Sequence, residues 1–141
     1  MHTKAAAIPA APDGLRYPIE TPPKPDEAIE VAPGLLWIRL TLPFRLNHVN
    51  VYLLKDGDGW AIVDPGIGND ATITAWTTLF EGPLKGFKIT RLIVTHAHPD
   101  HVGLAGWIVE RFGCPLHGSQ VDYLQAAYHE HHGSPERKLA Q

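Results

Sequence analysis

Arg91-Leu92-Ile93-Val94-Thr95-His96-Ala97-His98-Pro99-Asp100-His101 joins an apolar run to three histidines and an aspartate. Arg91 to Thr95 is made of strand-forming residues, the pattern of a central strand covered on both faces. Beyond the cluster, Val102, Ala105, Val109 and Phe112 recur at helical spacing while Leu104 and Ile108 fill a second stripe. That spacing predicts one buried helix, ended by Gly113. The polar cluster therefore sits on the turn between a buried strand and a buried helix. In extended backbone His96 and His98 point the same way, because side chains alternate with period two, so both imidazoles can reach one ion at about 2.0 to 2.1 Å. Asp100 and His101 belong to the turn and the helix start, are aimed differently, and can serve a second ion. The competing reading is a polar turn with incidental histidines, which this spacing makes a poor one.

Working outward, Leu35 to Thr41, Val49 to Leu54 and Trp60 to Asp64 are short apolar or β-branched runs, and Asp56-Gly57-Asp58-Gly59 between the last two is a tight-turn signal. They predict an antiparallel meander. Asp70 can cap a helix whose Ile73, Trp76, Leu79 and Phe80 face a core before Gly82-Pro83 stops it. After the cluster, Pro115 to His117 can form a short strand. Ser119 can cap a further helix with Val121, Leu124 and Tyr128 inward, ending near Gly133-Ser134-Pro135. Strand, helix, strand, helix after an antiparallel start predicts a mixed α/β sheet. Residues 1–33 hold seven of the thirteen prolines and are expected to be an extended arm, with the folded unit at 34–141.

A chain of 141 residues accommodates one domain, and 44% hydrophobic against 19% charged residues is the balance of a folding chain. The net charge of -3 has the wrong sign for binding phosphate backbones, so no nucleic acid is expected. No window approaches a membrane span of about 20 apolar residues. With Cys114 alone, neither an intrachain disulfide nor a cysteine zinc cage can form, which suits a cytoplasmic setting.

The segment His96-Ala97-His98-Pro99-Asp100-His101 resembles the signature motif of the metallo-β-lactamase superfamily of hydrolases, and Ile62-Val63-Asp64-Pro65-Gly66 resembles that family's preceding strand-end Asp motif. The resemblance covers about Gly34 to Tyr128. It implies a four-layer αββα sandwich of which this chain is one half, with helices on one face of its mixed sheet. It implies zinc, two ions in a complete domain, with His96 and His98 on the first and Asp100 and His101 on the second. Asp100 would also act catalytically, taking the proton of the attacking water. Asp64 would orient the motif, a role that metal sites generally need filled; the less favoured reading of Asp64 alone is a strand-end Asp closing a turn. Zinc lowers the pKa of a bound water to near 7 and can polarise a carbonyl or phosphoryl oxygen, so the implied reaction is attack of hydroxide on an ester, thioester, amide or phosphoester. His98 stands where the family's diiron oxidoreductase branch usually has Glu, which favours hydrolysis.

The family completes its site with a third His, a bridging Asp and a last His from the second half, and no segment after His101 resembles those. His117 reads as a loop histidine away from the metals. His129, His131 and His132 read as a solvated helix C-terminus, where cationic His suits the helix dipole. His48 reads as an edge residue, and Trp37, Trp60, Trp76 and Trp107 as core. The leading expectation is an incomplete half-domain of a zinc hydrolase acting on a small-molecule substrate, either self-associating or lacking its second half. The alternative is a noncatalytic metal-binding fragment that works only with a complementary or identical chain. A nuclease of the same superfamily is disfavoured by the acidic balance and the lack of a Lys/Arg cluster.

Overall fold

The computed structural model describes residues 14–132 of the chain. Ten elements follow in order: β1 (Ile29–Ala32), β2 (Leu35–Thr41), β3 (His48–Asp56), β4 (Gly59–Val63), α1 (Asp70–Glu81), β5 (Ile89–Ile93), α2 (Pro99–Val102), α3 (Ala105–Phe112), β6 (Leu116–His117) and α4 (Gln120–His132). The strands form one six-stranded sheet in sequence order. β1 to β4 are antiparallel neighbours, and β4, β5 and β6 run parallel, so the mixed α/β sheet expected from the pattern is the observed fold.

Alternation builds the meander. Ile38 and Leu40 of β2 oppose Val51 and Val49 of β3, Leu53 opposes Ile62 of β4, and Ile62 opposes Leu92 of β5, all buried on one face. Against that face pack Trp76 and Leu79 of α1, Leu104, and Ile108 of α3. Trp76 is 0% exposed, and its indole N–H, which would otherwise be orphaned, donates to the Pro65 carbonyl at 2.7 Å. Asn69, one residue before the expected Asp70, caps α1 by accepting from the Thr72 amide. The intervening residues show the opposite face. Ile29, Trp37, Tyr52, Val63, Ile93 and His117 line up strand to strand across the whole sheet, and of these Ile29, Trp37, Tyr52, Val63 and Ile93 are half-buried. Trp37 therefore lies outside the helix-covered core, its indole donating to Asn50.

The single helix expected from Val102 to Phe112 is two. α2 stops after four residues, and the Leu104 amide donates to the Gly66 carbonyl at 3.0 Å instead of continuing the helix. The cause is a backbone contact: a Cβ on Gly103 would lie 2.6 Å from the Gly68 nitrogen, and one on Gly68 would lie 2.6 Å from the Gly103 oxygen. Only two glycines can approach this closely. α4 starts at its expected Ser119 cap, but Val121, Leu124 and Tyr128 are 72%, 57% and 61% exposed rather than inward, while Ala126 and Ala127 are half-buried. Strand β1 lies within the segment expected to be an extended arm at 1–33, because cross-strand pairing with β2 recruits Ile29 and Glu30 into the sheet. Residues 1–13 of that segment and the expected helix stop at Gly133-Ser134-Pro135 lie outside the described residues. Among the described residues no helix is long and apolar enough to cross a membrane.

Candidate metal centre

β4 and β5 are parallel neighbours, so their C-terminal ends open on the same edge of the sheet, where an α/β fold commonly places its chemistry. Asp64 follows β4, with its amide donating to the Ile93 carbonyl at 2.9 Å. It is 4% exposed and takes a left-handed φ of 62°, the one positive φ of a non-glycine residue among the described residues. That backbone turn aims the carboxylate across to the end of β5. Asp64 Oδ1 accepts from the Thr95 amide at 2.8 Å and Oδ2 from the Thr95 hydroxyl at 2.6 Å. Oδ2 also lies 2.8 Å from His101 Nδ1.

These contacts fix two tautomers. An ionised carboxylate only accepts, so His101 Nδ1 carries a proton and donates to Asp64. The Thr95 hydroxyl proton is committed to Asp64, so His96 Nδ1, 2.9 Å from the Thr95 oxygen, donates to it. When both rings are neutral, His96 and His101 each keep an Nε2 lone pair. His96 Nε2 lies 3.1 Å from His98 Nδ1, and His101 Nε2 lies 3.4 Å from Asp100 Oδ2. In the second pair a lone pair faces a carboxylate, which is repulsive until a proton or a cation comes between them.

The four motif side chains thus converge. The His96 ring centroid is 4.7 Å from that of His98 and 4.1 Å from that of His101. His101 turns towards His96 and not into a separate direction, since Asp64 draws its Nδ1 side inward. Among the described residues, Asp64, His96 and His101 offer ligand-type atoms that all lie within 4.8 Å of one another. That grouping holds Asp64 in place of His98 and Asp100, yet the Asp64 oxygens already accept three protein hydrogen bonds. Two imidazole nitrogens bound to one tetrahedral ion at 2.0 to 2.1 Å are about 3.3 Å apart, close to the His96–His98 separation of 3.1 Å. The donor set, three imidazoles and a carboxylate, is one that zinc and other first-row transition metals take.

His48 opens β3 and pairs its Nδ1 with the Asn47 side chain at 2.8 Å. His117 is exposed on edge strand β6, and His129 and His131 are exposed on the last turns of α4; the side chain of His132 is outside the described part. None of the first four joins the cluster. Two residues given no role by the sequence reading do contribute. Thr95 bridges Asp64 and His96, and Asp122 of α4 accepts from the Ala97 amide at 3.1 Å. A hydroxyl directly before the first motif histidine, and an acidic residue three after the Ser119 cap, were the available signals.

The family profile described as the metallo-beta-lactamase superfamily matches residues 44–141. The chain belongs to this superfamily. It is 34% identical over 87 residues to a probable metallo-hydrolase of Bacillus subtilis, covering 60% of this chain and 37% of that protein. It is 39% identical over 85 residues to a metal-dependent hydrolase of Ignicoccus hospitalis, covering 58% of this chain and 34% of that one. Among solved structures, a beta-lactamase domain protein from Burkholderia ambifaria superposes with a TM-score of 0.72 at 38% identity, over 80% of this chain and 38% of the other. The chain thus spans little more than a third of the length of these relatives. The metallo-beta-lactamase motif stands here on the carboxyl ends of β4 and β5, within a partial domain of that fold.

Proposed function

We propose that this chain supplies one side of a zinc hydrolase centre that cleaves an ester, thioester, amide or phosphoester of a small molecule. The observation that carries the reading is the Asp64 relay, which sets both His96 and His101 in the tautomer with a free Nε2 beside further ligand atoms. His96 and His98 would hold one ion, and Asp100 and His101 a second. Zinc there would supply Lewis acidity towards the scissile carbonyl or phosphoryl oxygen and would acidify water into a nucleophile near neutral pH. Asp100, whose Oδ2 lies 3.4 Å from His101 Nε2, would be the group that accepts a proton there. Asp64 and Thr95 hold the rings in place without touching substrate.

The remaining ligands belong, in this reading, to further polypeptide, either a continuation or another chain. Its second sheet would cover the row Ile29, Trp37, Tyr52, Val63 and Ile93, which lies outside the helix-packed core of the described residues. A cytoplasmic setting is supported by the single, buried Cys114. The second reading, a noncatalytic metal-binding fragment, is favoured by the exposure of His98, which leaves one side of the cluster to solvent.

The test is a zinc titration of the chain against a competing chelator, followed by assay with a β-lactam, a thioester and a phosphodiester. Stoichiometric zinc with negligible turnover by the chain alone is expected, and turnover should appear when the complementary part of a longer relative is added. Absence of zinc binding would overturn the metal-centre reading. Zinc binding without turnover in any reconstituted form would favour the noncatalytic fragment.

A further inference from the structure

Asp122 occupies the third position of α4, where an acidic side chain after a Ser cap ordinarily folds back onto the amide of its own cap residue. Here it does not. The Asp122 amide donates to Ser119 Oγ at 3.0 Å, which is the expected half of a capping box. Its carboxylate leaves the helix instead: Oδ1 accepts the Ala97 amide at 3.1 Å, and Oδ2 accepts the Ser119 hydroxyl. Ala97 is buried and lies between the two histidines that share the 3.1 Å contact. One side chain of α4 therefore holds the peptide that spaces His96 from His98.

We infer that Asp122 is a positioning residue for the metal centre, and that docking of α4 and metal binding by His96 and His98 are coupled through it. This inference rests on the reading of those histidines as ligands. Among the described residues, Val121, Tyr123 and Leu124 of α4 are exposed, and a cavity of about 1110 Å³ lies between α4 and the α2–α3 corner, lined by Val102, Trp107, Tyr123 and Ala126. A helix so loosely packed gains order from each tether. Whatever fixes the His96–Ala97–His98 backbone therefore also favours the docked helix, and by thermodynamic reciprocity the docked helix favours the ion by the same factor.

Three variants of the chain separate this from simple capping, with two readouts: zinc affinity by chelator competition, and hydrogen exchange at the Ala97 amide and along α4. Asp122→Ala should weaken zinc binding by about 10- to 100-fold, the range for residues that orient metal ligands, and should deprotect Ala97. Asp122→Asn keeps an oxygen that can accept from Ala97 and should recover much of both. Ser119→Ala removes the cap and the hydroxyl bond to Asp122 Oδ2 but keeps the Oδ1 tether to Ala97, so it should loosen the first turn of α4 and cost clearly less zinc affinity than Asp122→Ala. In the unmodified chain, zinc should slow exchange along α4. Unchanged affinity in Asp122→Ala, or equal losses in Ser119→Ala and Asp122→Ala, would overturn the inference and leave Asp122 as a cap. A chain that binds no zinc at all would overturn the metal-centre reading, and this inference with it; Ala97 protection, which needs no metal, tells the two failures apart.

Discussion

Thr95 gives Asp64 two hydrogen bonds at once, its amide to one carboxylate oxygen and its hydroxyl to the other. The pair ties the end of β4 to the end of β5 at the point where the His96–His101 turn begins. The hydroxyl oxygen then accepts from His96, so the charge of Asp64 reaches the first ligand through one intermediate atom.

Asp64→Asn should therefore act on ligand geometry more than on the backbone. Asn tolerates a left-handed φ and still accepts the Thr95 amide, but its amide nitrogen would face either the Thr95 hydroxyl or His101 Nδ1. Loss of charge-assisted bonds predicts about 2 kcal/mol of destabilisation in urea and a zinc affinity reduced by about 10- to 100-fold. Asp64→Ala should cost more, since it adds strain at a φ of 62° to the loss of three hydrogen bonds. Wild-type zinc affinity in Asp64→Asn would show that the relay does not set the ligands.

The histidines should divide sharply. His96→Ala or His98→Ala is expected to abolish zinc retention by the chain in chelator competition. His129→Ala and His131→Ala, exposed on α4 and away from the cluster, should leave it within about twofold.

Gly103 and Gly106, three residues apart, test the helix break. A Cβ at Gly103 would collide with the Pro99 carbonyl oxygen and lie 2.6 Å from the Gly68 nitrogen, so Gly103→Ala should lower stability by about 1 to 3 kcal/mol. Gly106 in α3 has nothing within 4 Å of that position. Gly106→Ala should raise stability by about 0.5 to 1 kcal/mol, since alanine loses less backbone freedom in a helix. Chemical denaturation of the two variants checks both signs.

Acid sensitivity has an identifiable contributor away from the metal ligands. Hydrogen bonds from Thr90 and then Arg91 hold the Asp56 carboxyl below its ordinary value of 3.8. A depressed folded-state value means that the carboxylate stabilises the fold above the unfolded value and that this support is lost as pH falls through the folded one. Asp56→Asn should leave stability less pH-dependent below about pH 4 than in the unmodified chain. Asp58, held low by Lys88, titrates in the same direction, so Asp58→Asn is the matched control. Denaturant midpoints between pH 2 and 6, about the carboxylate range, would show the change in slope.

Much of this architecture was legible in residues 35 to 64 and 89 to 101, because alternation and a dense ligand motif are local signals. What was hidden depends on distant partners. Val121, Leu124 and Tyr128 recur like a core face, yet α4 leaves them exposed and half-buries Ala126 and Ala127, beside the cavity that parts it from the α2–α3 corner. The break after α2 follows from Gly68, which lies far back along the chain and gives no local sign at Gly103. Strand β1 hides among prolines because its pairing with β2, and not its own composition, makes it a strand. At the centre itself the histidines were evident, whereas Asp122 was not: an acidic residue at that position of a helix ordinarily speaks only for its own helix.

The corner formed by Gly66, Gly68 and Gly103 has a consequence for how such a chain can change. Asp64 and the Gly66 carbonyl grip the ligand turn directly, at Thr95, His101 and Leu104, so the turn is braced against the residues just after β4. The stretch from α1 to the start of β5 lies outside that brace. Gly86, exposed in the loop after α1 with open space around its α-carbon, marks where lengthening would leave the ligands undisturbed. The fold thus separates a part that cannot be re-spaced from a loop free to accept insertions, and new surface can accumulate at the end of β5 opposite to the His96–His101 turn without a change in that turn's geometry.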